Sequence, residues 1–237
     1  MNVLKIASVL VAISLALPLS GRAQTTLTEA ANNLYDTAID TTNPTVTLGG
    51  GSNDINYIVT SAPVGSGITT PSDALVVHQA NLPAGWVAND TGATPPSRWD
   101  SVSATAANEI AGTYAYVLTL TNIPTDASVS ISGNVAADNQ LNILANGTQK
   151  FALTTNPTYA ASFNPFSFTF TASGSSTSDT LTFDVINTGT TATGLQVQGL
   201  AGTYTPVPEP RDWAVMLLLG VGGLVAVRKL RAGFTLA

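Results

Sequence analysis

Apolar and polar positions alternate along most of this 237-residue chain. Tyr114, Tyr116, Leu118 and Leu120 share one face of 113–121. Phe166, Phe168 and Phe170 alternate with Ser167, Thr169 and Thr171, and Leu181, Phe183 and Val185 alternate with Thr182 and Asp184. A period of two sends successive side chains to opposite faces of a sheet, so each run predicts a half-buried strand. Further runs lie at 45–48, 55–60, 74–78, 127–132, 140–145, 149–154 and 195–198. Asn146-Gly147 separates two of them, and Asn-Gly favours the positive backbone angles of a two-residue hairpin turn. The segment 140–154 is therefore expected to be a β-hairpin. Only 29–39 reads as faintly helical, and it reads equally well as an opening strand. So many short strands between Pro and Gly punctuation predict an all-β fold, a β-sandwich whose natural form is the jelly roll.

Both ends break the alternation. Lys5 precedes an almost wholly apolar run from Ile6 to Leu17, Pro18 ends it, and Gly21-Arg22-Ala23 supplies small residues. This pattern predicts a signal peptide helix over 1–23, cut between Ala23 and Gln24. At the other end Pro206, Pro208 and Pro210 fix an extended strap. Trp213 to Val227 follows without a charge, and Arg228, Lys229 and Arg231 come next. As a helix that apolar run is about 22 Å long, short of a hydrocarbon core of roughly 30 Å. It suits a single, temporary transmembrane helix at 213–227. Trp213 would sit at one interface, with Arg228 and Lys229 snorkelling at the other. The basic tail keeps the C-terminus cytoplasmic and the body outside. The expected organisation is a signal peptide (1–23), a β-sandwich ectodomain (24–205) and a C-terminal tail (206–237).

Setting the ends aside changes the charge. Gln24 to Pro210 holds 13 acids and two bases, Arg98 and Lys150, for a net charge of −11. No basic footprint exists for nucleic acid. The absence of cysteine excludes thiol catalysis, disulfide scaffolding and thiolate-bound zinc.

Candidate chemistry is sparse. His78 is the single histidine, and it follows apolar residues on a predicted strand, which reads more readily as structure than as a catalytic base. No Gly-x-Ser-x-Gly elbow is present. Acids are numerous, but no spacing selects a carboxylate pair for hydrolysis. The chain is therefore expected not to be an enzyme, with a secreted hydrolase as the outlying alternative. Trp86 and Trp99 flank the polar Asn89-Asp90-Thr91. Two indoles beside amides and carboxylates form either a stacking platform for sugar rings or a pair of core plugs at strand ends. Arg98 offers a forked donor to a ligand or to a neighbouring acid. Asp138 and Asn139 fall where loops gather at one tip of a sandwich, and so does Asp54. Such oxygens suit calcium, which makes Asp54 and Asp138 candidate metal ligands beside the plainer reading as turn residues. No other cofactor is expected.

Five pieces occur in order: "GGGSNDINYIVTSAP" (49–63), "GWVANDTGATPPSRWDS" (85–101), "GTYAYVLTLTNIP" (112–124), "ISGNVAADNQLNILANGT" (131–148) and "DTLTFDVINTGTTATGLQVQGLAGT" (179–203). Together they resemble a galactose-binding-like jelly-roll domain of exported bacterial surface proteins. The tail resembles the PEP-CTERM sorting signal. Val207-Pro208-Glu209-Pro210 matches its name motif, the stretch from Trp213 matches the start of its helix, and the basic cluster completes it. That resemblance implies recognition by exosortase and removal of the helix after a transient stay in the inner membrane. It also implies delivery to the cell surface or extracellular matrix of a Gram-negative bacterium. The combined expectation is a non-catalytic polysaccharide-binding module associated with exopolysaccharide or biofilm. Glycan recognition would involve Trp86, Arg98, Trp99, Asp138 and Asn139. A purely structural or adhesive matrix protein is the alternative.

Overall fold

The computed structural model describes residues 23–89, 96–154, 162–173 and 178–207. Within it Thr25–Thr205 forms one compact unit. The expected signal peptide (except Ala23), the motif residues Pro208, Glu209 and Pro210, and the expected span at 213–227 with its basic tail lie outside the described residues. Among the described residues no helix is long and apolar enough to cross a membrane.

The elements are β1 (Thr25–Thr26), α1 (Glu29–Asn32), β2 (Ile39–Asp40), β3 (Asn43–Thr47), β4 (Asn53–Ser61), β5 (Ser72–Val76), β6 (Asp100–Ser101), β7 (Gly112–Thr121), β8 (Ser128–Asp138), β9 (Gln140–Ala145), β10 (Thr148–Leu153), β11 (Asn164–Thr171), β12 (Ser178–Asn187) and β13 (Gly194–Thr205). A three-residue 3-10 turn (Gln79–Asn81) follows β5. The strand path is β10-β9-β12-β7-β4-β5-β6-β13-β8-β11, with β1 added to β13, and each of these pairs is antiparallel. One layer is β10-β9-β12-β7-β4 and the other is β6-β13-β8-β11, with β5 as the corner between them. The chain changes layer at β7–β8, β8–β9, β10–β11, β11–β12 and β12–β13, which is the winding of a jelly roll. Phe151 on β10 meets Phe166 on β11 with ring centroids 5.9 Å apart, closing the open side.

The alternation read from sequence is what the strands bury. Tyr114, Tyr116, Leu118, Leu120, Phe166, Phe168, Phe170, Leu181, Phe183 and Val185 all point into the core. Ser167, Thr169 and Thr171 face outward. The hairpin forms as expected, with Asn146 at φ 48° and Gly147 at φ 75° between β9 and β10. The Asn146 Oδ1 accepts the Thr180 N–H at 2.9 Å and its Nδ2 donates to Asp179 at 2.7 Å, tying the turn to β12.

Three segments differ from the sequence reading. The region 29–39 is neither a full helix nor a strand. A single turn, α1, is capped by the Thr28 hydroxyl and stopped by Asn33 in the left-handed region. Strand β8 continues well past 132 and β13 well past 198. Both extensions run through Gly and Ala positions, where apolar alternation gives no signal.

Candidate functional site

Trp86 and Trp99 do come together, but as core. Their rings lie 3.9 Å apart, and their exposures are 9% and 0%. They form a second small core with Val77, Ala106 and Ala136. The Trp86 Nε1–H donates to Asp138 at 2.8 Å and the Trp99 Nε1–H to the Val87 carbonyl at 2.8 Å. Gly194 lets the Trp86 ring close down on β13, since a Cβ there would meet it at 2.6 Å. Neither indole offers an open face for sugar stacking, which corrects the platform reading: two large apolar rings gain more from mutual burial than from solvent exposure.

Asp138 and Asn139 belong to the same closed cluster. The Asn139 side-chain amide donates to Asp138, and its Oδ1 accepts the Thr188 N–H at 2.9 Å. Burial pushes the Asp138 carboxyl up to about 6, against the opposing hydrogen bonds from Trp86 and Asn139. Arg98 is half-buried and anchored through its backbone to Thr37: its N–H donates to the Thr37 carbonyl at 3.3 Å, and the Thr37 hydroxyl donates back at 2.6 Å. The expected ligand set thus gathers four of its five members around a sealed hydrogen-bond network.

Asp54 is sealed too. Its Oδ2 accepts the Ala38 N–H at 2.6 Å and its Oδ1 accepts the Asn56 N–H at 2.9 Å. Its neighbour across the β5 corner is the Asp100 carboxyl of β6, and both residues have zero exposure. No N–H or hydroxyl donor reaches either oxygen of Asp100. Two facing buried carboxyls resist double ionisation, and Asp54, which already accepts two backbone N–H groups, is the better seat for a charge than Asp100. Burial first, and the facing Asp54 charge second, hold the Asp100 carboxyl well above the usual carboxylate range. Calcium takes six to eight oxygens. Asp54 and Asp138 already spend theirs on protein donors, and among the described residues no group of three or more acids or histidines converges.

His78 is exposed, and its backbone N–H donates to the Ala104 carbonyl at 3.0 Å. Its ring packs under Gly50 and Gly51, where a Cβ would come within 2.7 Å and 2.9 Å of the imidazole nitrogens. No described serine or carboxylate hydrogen-bonds that ring. The close carboxyl pair, Asp54 and Asp100, is walled off from any substrate. The described residues thus bring no catalytic constellation to the surface.

What does reach the surface is a groove missed in the sequence. An open cavity of about 230 Å³ is lined by Thr26, Ser130, Ile131, Ser132, Ser167, Ala201, Gly202 and Thr203. It lies on the outer face of β1, β13, β8 and β11. Register places Thr169, Ser130, Thr203 and Thr26 in one row across four strands. Ser167, Ser132 and Ala201 form the next row. A bulge between Gln198 and Ala201 makes this possible. It reverses the facing of β13: Leu195 and Val197 point into the core before it and Leu200 after it, which brings Ala201 and Thr203 to the outer face. The alternation of Ser128, Ser130 and Ser132 against Thr171, Thr169 and Ser167 was visible in sequence, but the pairing that builds rows from it was not.

No protein-family model matches the chain, and no curated protein does. Among solved structures it is similar to the EclA C-terminal domain, a sugar-binding protein, at 16% identity and a TM-score of 0.31, over 39% of this chain and 67% of that one. A CBM4 structure is similar at 17% identity and a TM-score of 0.32, over 66% of this chain and 98% of that one. BuGH86wt, solved in complex with neoagarooctaose, is similar at 14% identity and a TM-score of 0.26; the match takes in 41% of this chain and 17% of that one.

Proposed function

We propose that this chain is an exported surface or matrix protein whose β-sandwich binds polysaccharide without catalysis. The observation that carries the reading is the groove: hydroxyls from four adjacent strands stand in register around an open trough. Each hydroxyl both donates and accepts, which matches the hydroxyls of a sugar chain. The trough is smaller than the roughly 300–1,000 Å³ of enclosed small-molecule pockets and open, as a polymer passing over the sheet needs.

Delivery rests on the two ends. The signal peptide pattern exports the body. The Val207-Pro208-Glu209-Pro210 strap, the marginal apolar segment and the basic stop make the tail a substrate for exosortase, with a transient anchor in the inner membrane. The body then joins exopolysaccharide or biofilm at the surface of a Gram-negative cell.

Two experiments test this. Mass spectrometry of cell-associated and released protein should find the mature chain without Trp213 onward; a retained tail in both fractions defeats the sorting part. Co-sedimentation with extracted exopolymer should retain the wild-type chain and lose the Ala201→Phe variant. Retention in the matrix without any glycan binding would make the protein structural or adhesive instead.

A further inference from the structure

We infer that the groove selects uncharged polysaccharide and rejects polyuronates and sulfated polymers. This rests on the polysaccharide reading above and goes on to name the substrate class. None of the eight lining residues carries a charge. Along β8, β11 and β13 the one charged residue is Asp138, at the far end of β8, its carboxyl buried against Trp86. The bases between Gln24 and Pro210 are Arg98, on the segment that leads into β6, and Lys150 on β10, and neither lies on a strand of the groove. An anionic polymer would therefore enter a trough without a counter-charge, on a body whose net charge is −11. Its carboxylates or sulfates would exchange water for hydroxyl donors alone, in a repulsive field. A neutral chain meets no such penalty. Its hydroxyls face rows spaced about 7 Å along the strands and about 5 Å across them. Ala201 leaves a notch in the row of Ser167 and Ser132, where a ring can approach the sheet.

The test is binding of the purified full chain to a panel of neutral glucans and galactans, a polyuronate and a sulfated galactan, by calorimetry at 50 and 500 mM NaCl. The expected result is binding to at least one neutral polymer, changing less than twofold with salt and falling at least tenfold in Ala201→Phe. Ser132→Lys should weaken that binding and introduce salt-sensitive binding to the polyuronate. Near-ultraviolet circular dichroism confirms that both variants are folded. A wild-type chain that binds the polyuronate or the sulfated galactan, and loses it in Ala201→Phe, overturns the selectivity while leaving polysaccharide binding in place. Neutral binding untouched by Ala201→Phe overturns the groove as its seat. Failure to bind any polymer overturns the polysaccharide reading and this inference together.

Discussion

The Asp36 carboxylate accepts the Leu200 N–H at 2.7 Å, across 164 residues of sequence, and the neighbouring Gly199 N–H at 2.8 Å. These two N–H groups belong to the β13 bulge, where Gly199 has φ 62°. A bulge leaves backbone donors outside the ladder, and here a buried carboxylate takes both. Leu200 is thereby turned into the core while Ala201 and Thr203 are presented to the groove. Asp36→Ala should cost about 1–3 kcal/mol, since it leaves two N–H donors without their acceptor. Urea unfolding measures that loss, and the same variant should weaken polymer binding by misplacing Ala201 and Thr203. Unchanged stability would show that the bulge holds itself.

Stability should fall as pH rises. Burial pushes Asp36 up to about 7 and Asp138 up to about 6, and raises Asp54 and Asp100 as well. A carboxyl with a raised folded pKa binds its proton more tightly in the native state. Its contribution is complete below the unfolded value near 4 and is lost as pH climbs through the folded value. Between pH 5 and pH 8, Asp36 alone accounts for about 2–3 kcal/mol. Scanning calorimetry should give a melting temperature roughly 5–10 °C higher at pH 5 than at pH 8. A melting temperature that is flat or rises over this range contradicts the assignment.

Asp100→Asn should keep the domain folded and flatten part of that pH dependence. The asparagine amide can donate to Asp54 as a protonated Asp100 would, with no proton to lose. Asp100→Ala leaves a cavity and removes that donor from the buried Asp54 charge, so it should cost at least about 3 kcal/mol. Equal losses for the two substitutions would mean that a donor at this position does not matter.

Trp99→Ala should destabilise the domain by about 3–5 kcal/mol, as removal of a fully buried aromatic does. Trp86→Phe keeps most of the ring but leaves Asp138 short of a buried donor, at about 1–3 kcal/mol. Denaturant midpoints should shift while polymer affinity, measured well below the transition, stays level. A fall in affinity without a change in stability would return the two tryptophans to the ligand.

Gly194→Ala places a Cβ 2.6 Å from the Trp86 ring and 2.9 Å from the Asp100 carbonyl oxygen. The ring can tilt, but the backbone oxygen has little freedom, so a loss of about 1–3 kcal/mol is expected. Thermal unfolding measures it, and a neutral result would mean that the loop carrying Trp86 is looser than its packing indicates.

The sequence by itself determined whatever depends on neighbours along the chain. Tyr114 to Leu120 and Phe166 to Phe170 had to be half-buried strands because alternation leaves one face apolar. Asn146-Gly147 had to turn because its backbone angles suit a hairpin, and the charge balance leaves the body between Gln24 and Pro210 strongly acidic. Tertiary structure decided what depends on partners far away. Trp86 and Trp99 are 13 positions apart, and whether they face sugar or each other hangs on Gly194 and Asp138, contributed by β13 and β8. The acidic residues looked like surface charge, but Asp36 folds under a bulge 163 residues on, and Asp54 pairs with Asp100 inside the corner. The groove had no sequence signal of its own. Serines and threonines at alternate positions are ordinary outward faces until strand register lines them up and a bulge reverses β13.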